Sequence, residues 1–84
     1  MDNDLSEGLV VSDTRHPSIR HMAKHFRYSH LPETLQAVSL QFASLGQFLV
    51  DTQNDTPELT EALRKLWEAK NCAVLNAGFL SEGQ

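Results

Sequence analysis

The chain has 84 residues, the length of one small domain. Seven Lys and Arg against eleven Asp and Glu leave a formal net charge of −4, which argues against a general DNA-binding module, because such modules are basic overall. A single cysteine, Cys72, excludes a disulfide-stapled scaffold, no apolar run reaches the roughly 18 residues of a membrane span, and the acidic opening Met1-Asp2-Asn3-Asp4 lacks the basic start of a secretory leader.

Residues 1–14 carry Asp2, Asp4, Glu7 and Asp13 with one apolar patch, Leu9-Val10-Val11, and read as a flexible acidic tail. Residues 15–30 differ in kind. They hold Arg15, Arg20, Lys24 and Arg27, four of the seven basic residues, together with all four histidines, His16, His21, His25 and His30. No acid intervenes between Asp13 and Glu33, so an acidic chain carries one basic strip. Pro17 suits a first helical turn, and Ile19, Met22, Ala23 and Phe26 follow at helical spacing, which predicts a short helix over 17–27.

Leu31, Leu35, Val38, Phe42, Leu45 and Leu49 step by 4, 3, 4, 3 and 4, the α-helical period. With Pro32 and Glu33 at its start, this pattern predicts a helix over 32–51, about 30 Å long. Gly46 inside it costs about 1 kcal/mol against alanine, and a close helix–helix approach would explain it. A polar break, Asp51 to Thr56, follows, where Asp55 or Thr56 can cap the next helix. Leu59, Leu63, Leu66, Trp67, Ala73, Val74 and Ala77 then mark a helix over 57–78, with Gly78 as its stop and Ser81 to Gln84 as a frayed end.

The predicted fold is all-α: a short N-terminal helix followed by a long antiparallel helical hairpin, one domain over 15–80. Two helices bury only their shared seam. Ala37, Leu40, Phe48, Val50, Leu75 and Phe79 fall outside a single stripe on each. A chain this small gains only about 3–5 kcal/mol from one core, so association into a homo-oligomer is expected, with any ligand pocket at a subunit junction.

No Gly-rich phosphate loop, paired-carboxylate motif or Cys–His signature is present, so catalysis is not expected. Cys72 reads as a small packing residue. His21 and His25 stand at a spacing that can place two imidazoles on one metal, but Cys72 is the only thiol and no acid is near in sequence. Solvated histidines with no metal and no cofactor are therefore expected. The strip Lys24-His25-Phe26-Arg27-Tyr28-Ser29-His30 mixes cations with aromatic faces ahead of a helix start. That chemistry suits a phosphate plus a nucleobase, although Phe26 and Tyr28 are equally suited to packing. Lys70 interrupts an apolar stripe, so it either snorkels or points into a shared pocket.

Tyr28-Ser29-His30-Leu31-Pro32-Glu33 followed by Ser44-Leu45-Gly46 resembles the opening of the small phage anti-CBASS sponge proteins. The run from Ala62 through Leu63-Arg64-Lys65-Leu66-Trp67-Glu68-Ala69-Lys70 to Val74 is similar to the closing helix shared by these proteins and the Thoeris anti-defence sponges. The resemblance spans residues 26–78. It implies a helical hairpin assembled into symmetric oligomers, often hexamers, that sequesters cyclic oligonucleotides or cyclic ADP-ribose relatives and does no chemistry on them. It further implies that Tyr28 stacks on a base. Where the anti-CBASS branch carries a phosphate-binding lysine, this chain has Ala43. Either Arg27, Lys24 or a histidine replaces that cation or this branch takes another ligand, while Lys70 matches a basic position of the closing helix.

The expected function is capture of a cyclic nucleotide immune signal in the bacterial host cytoplasm by a homo-oligomer, with Tyr28, Phe26, Arg27, Lys24 and Lys70 as binding residues. The alternative is a protein–protein module that docks on an acidic host protein through residues 15–30. Nucleic-acid binding is disfavoured by the net charge, because polyanion affinity comes mainly from released counterions.

Overall fold

The computed structural model of the chain describes residues 4–81, with side-chain surroundings up to Gly78. This part is all-helical and without strands: α1 spans Pro17–Lys24, α2 Glu33–Thr52 and α3 Pro57–Ser81. α2 packs on α3, and α1 lies against α3.

Each boundary has a local cause. At the start of α1, His16 Nδ1 accepts the Ser18 N–H at 3.1 Å, and Pro17 supplies a preset first turn. α1 ends at Lys24, short of the expected 27. The Ala23 carbonyl accepts the Leu9 N–H at 3.0 Å as well as the Phe26 N–H at 3.3 Å, and Arg27 N–H reaches the Lys24 carbonyl at 3.3 Å. These three-residue closures tighten the last turn and release the chain. α2 starts one residue later than expected, because Pro32 sits outside it in extended conformation. At the start of α3, Thr56 rather than Asp55 is the cap: its Oγ1 accepts the Leu59 N–H at 3.1 Å. α3 runs through Gly78, which is not in the left-handed conformation a glycine stop would use. Ser81, expected to start a frayed end, is the last residue of α3, while residues 82–84 of that end and the first three residues lie outside the described range, as does the side chain of Phe79.

The buried seam of α2 differs from its stripe of large apolar residues. Ser39, Ala43, Gly46 and Val50 face inward, in steps of 4, 3 and 4. Leu35, Val38, Phe42 and Leu49 are only half-buried, and Leu45 is exposed. At 100° per residue the large stripe is turned about 90° from the seam. Sequence periodicity gives the helix but reports the wrong inner face, because small residues pack closest and large ones form the shoulder. On α3, Leu59 and Leu63 are buried, and Lys70 continues the same seam. From α1 and its exit come Ile19, Met22, Ala23 and Phe26.

The segment expected to be a loose tail is instead packed over its described part. Leu5 and Leu9 are buried in the core. Gly46 owes its place to this segment and not to a helix–helix crossing: a methyl there would stand 3.1 Å from Leu9 Cδ1 and 3.5 Å from Phe26 Cε1. Gln47 fastens the segment by donating its Nε2 hydrogen to the Val10 carbonyl at 2.9 Å and accepting the Val10 N–H on Oε1 at 2.8 Å. The Ser6 carbonyl accepts the N–H groups of Tyr28 and Ser29, at 2.8 and 2.9 Å. Gly8 makes the bend with φ 117°, and a Cβ there would sit 2.8 Å from the Ala23 oxygen.

Arg15 closes the arrangement. Its Nη1 donates to the Val50 carbonyl at 2.8 Å and its Nη2 to the Gln53 carbonyl at 3.3 Å, so it serves the C-terminal end of α2. Its Nε donates to Asp55 Oδ1 at 2.7 Å, while Asp55 Oδ2 accepts the His16 N–H at 2.7 Å, just before α1. One side chain thus ties an end of α2, the turn before α3 and the entry to α1.

Two glycine substitutions should move stability in opposite directions. Gly8→Ala forces a side chain into a left-handed conformation against a carbonyl and should cost about 1–3 kcal/mol. Gly78→Ala places a methyl in open space on a helix and should gain up to about 1 kcal/mol. Urea unfolding monitored by circular dichroism reads both, and a shared direction would contradict these placements.

Candidate functional site

The five residues nominated by sequence separate into two sets. Phe26 and Tyr28 are core residues, 1% and 8% exposed. Phe26 lies against the Gly46 backbone. Tyr28 has its backbone tied to Ser6, and burial, with the Asp4 charge adding to it, pushes its phenol pKa up. Neither ring is free to stack on a base in this arrangement. Both rings belong to the same buried cluster as Leu5 and Leu9. Lys24 and Arg27 are exposed and form no ion pair among the described residues.

Lys70 is the unusual member. It is only 7% exposed, in the middle of the α3 seam, with no hydrogen bond or ion pair among the described residues. Burial pushes its pKa down. Its head group is not sealed: the one fully enclosed side-chain polar atom without a partner among the described residues is Ser39 Oγ. Lys70 therefore snorkels toward the surface beside α1.

What it meets there was not legible in the sequence. The His25 ring, at the end of α1, stacks on Trp67 of α3 with centroids 4.3 Å apart and planes 23° from parallel. His21 meets His25 edge to face, with centroids 4.8 Å apart and Nε2 atoms 3.3 Å apart. Burial first, then the charges of His21, Lys70 and Arg64, push the His25 pKa down. The result is a cationic and aromatic cluster in which α1 supplies two imidazoles and α3 an indole, an ammonium and, through Arg64, a guanidinium shared with Glu61 at 3.3 Å. The signal for it was the pairing of the only tryptophan with a histidine-rich strip, which only the α1–α3 packing brings together.

A separate groove of about 470 Å³ opens between the start of α1 and the start of α3, lined by His16, Ser18, Asp55, Thr60, Glu61 and Arg64 among others. None of the five nominated residues lines it. Its carboxylates, Asp55 and Glu61, make it a poor seat for an anion. Among the described residues no group of three or more His, Cys, Asp or Glu side chains surrounds a common point. No helix among them is long and apolar enough to cross a membrane.

The pKa directions set two acid-labile steps. The Arg15 hydrogen bond, then the His16 N–H, hold Asp55 below the ordinary carboxylate range. Stability from that depressed pKa is present above about 3.9 and is lost as pH falls through the folded value. His25 is also depressed, so the folded state disfavours its charged form, and stability falls as pH drops below about 6.5. Thermal melts across pH should show both declines. His25→Gln should remove the upper one and Asp55→Asn the lower, and an unchanged profile in either variant would contradict the assignment. Comparison with protein-family models, with curated proteins and with solved structures finds no match to this chain.

Proposed function

We propose that the chain is a non-catalytic binding protein that captures a small anionic nucleotide signal, of the cyclic oligonucleotide or cyclic ADP-ribose type, in the bacterial host cytoplasm. The observation that carries this reading is the buried, unpaired Lys70 beside the His25–Trp67 stack. The Lys70 stem is buried and its partly desolvated ammonium has no counter-ion among the described residues, so an incoming phosphate would supply one. An indole and an imidazole beside it offer flat faces for a base. Lys70 carries over from the sequence expectation as the phosphate ligand. Trp67 takes the stacking role first given to Tyr28. Lys24 and Arg27, exposed on either side of His25 and Phe26 in sequence, add positive potential to that end of the molecule.

α2 and α3, joined by a short turn, form an antiparallel hairpin in this reading. Equal rise on either side of the turn then sets residue 39 level with residue 70, so Ser39 and the buried stem of Lys70 share one level of the seam.

The same reading includes self-association. The chain is 17 Å across its thinnest Cα dimension, about two helix layers, so outer faces have no cover from within. Phe48 is 59% exposed and Leu75 60%, and Leu40 and Leu45 are also exposed. Leu45 and Phe48 stand about 60° apart around α2, and exposed apolar groups on one side of a helix mark an association surface. A homo-oligomer built through this face buries them.

Calorimetric titration with a panel of cyclic dinucleotides, cyclic trinucleotides and cyclic ADP-ribose isomers tests the ligand. At least one should bind. Trp67→Ala should weaken it by about 1–3 kcal/mol if a base stacks there, and Lys70→Gln should weaken it at least as much. Tyr28→Phe should leave it unchanged. No heat with any compound, or full affinity in Lys70→Gln, overturns the reading. Sedimentation should show an oligomer that Phe48→Glu dissociates without loss of helicity; a monomeric parent chain removes the assembly part.

A further inference from the structure

His21 lies within α1 and His25 caps its end, four residues on, so the two rings rise from the same side of one helical turn. Their Nε2 atoms stand 3.3 Å apart. Two nitrogens bound at about 2.0–2.1 Å to one tetrahedral ion stand about 3.3–3.4 Å apart, the same span. The rings meet at 88°, and His25 is held against Trp67, so little rotamer freedom remains to be lost on that side. The geometry points to a divalent transition-metal site formed by His21 Nε2 and His25 Nε2, with water or a small anion in the remaining positions.

The surroundings select the metal. Lys70 and Arg64 face His25 from α3 and carry positive charge, with Arg64 partly offset by Glu61. Hard cations such as Mg²⁺ and Ca²⁺ seek several carboxylate oxygens, whereas the carboxylate near this cluster, Glu61, is paired with Arg64. An ion with a strong bond to imidazole tolerates that field, in the order Cu²⁺ ahead of Ni²⁺ and Zn²⁺. Lys70 also favours an anionic co-ligand over water in the open positions. The neutral imidazole is the ligating form. His16 does not join them, since no group of three or more His, Cys, Asp or Glu side chains surrounds a common point among the described residues.

The inference goes beyond nucleotide capture, and its test uses no nucleotide. The full chain is titrated with Cu²⁺, Zn²⁺ and Mg²⁺ in a non-coordinating buffer, by calorimetry and, for copper, by electron paramagnetic resonance. Cu²⁺ should bind as a single ion per chain with a two-nitrogen spectrum, Zn²⁺ more weakly, and Mg²⁺ not at all. His21→Ala, at an exposed position, leaves the fold intact and should weaken Cu²⁺ at least about tenfold; His25→Ala should do the same. His16→Ala and His30→Ala should have no effect. Affinity should fall as the solution is acidified, because a protonated imidazole cannot ligate. Full Cu²⁺ affinity in His21→Ala, or an equal loss in His16→Ala or His30→Ala, overturns the site.

Discussion

The guanidinium of Arg15 is the point on which this small fold turns. It reaches two carbonyls at the end of α2 and the Asp55 carboxylate, and Asp55 in turn holds the N–H of His16. A guanidinium presents five donors in a fixed fork, so one residue can serve several acceptors that no ammonium would reach together. The Asp55 carboxylate sits just ahead of α1, and the Arg15 cation sits at the tail of α2. Both placements agree with the helix dipoles. The clasp fixes where α1 starts, and therefore where its far end delivers His21 and His25 onto α3.

The N-terminal segment is the second constraint. Leu5 and Leu9 occupy the space above Gly46, and Gly8 lets the chain pass within contact of Ala23. Phe26 and Tyr28 share the buried cluster with Leu5 and Leu9, whereas His25 and Trp67 stay half-buried where α1 meets α3.

The helices were legible in the sequence because apolar spacing reports period directly. The start of α1 at Pro17 and the start of α3 at Pro57 follow from proline's preset φ. Their ends were not so readable. The end of α1 depends on the Ala23 carbonyl being claimed by Leu9, a residue 14 positions earlier. The inner face of α2 was missed because size and burial diverge there: Ser39, Ala43 and Gly46 lie innermost while Phe42 and Leu45 do not. Leu9 was visible as apolar, but its burial needed Gly46 opposite it. Lys70 was legible as an interruption in an apolar stripe, whereas its neighbours were not, since His25 and Trp67 are 42 residues apart and meet only through tertiary packing.

Gln47 reads the main chain of Val10 and not its side chain. Its amide satisfies both the donor and the acceptor of that residue, as a neighbouring strand would. The Val10 side chain meanwhile points into solvent, 58% exposed. The bond is therefore indifferent to what is written at position 10, provided the residue keeps an N–H. A substitution at position 10 leaves this pair of bonds in place, whereas position 47 needs an amide to make both. For the experimenter the same asymmetry makes residue 10 a natural place to attach a fluorophore or an affinity handle without disturbing the packed segment beneath it.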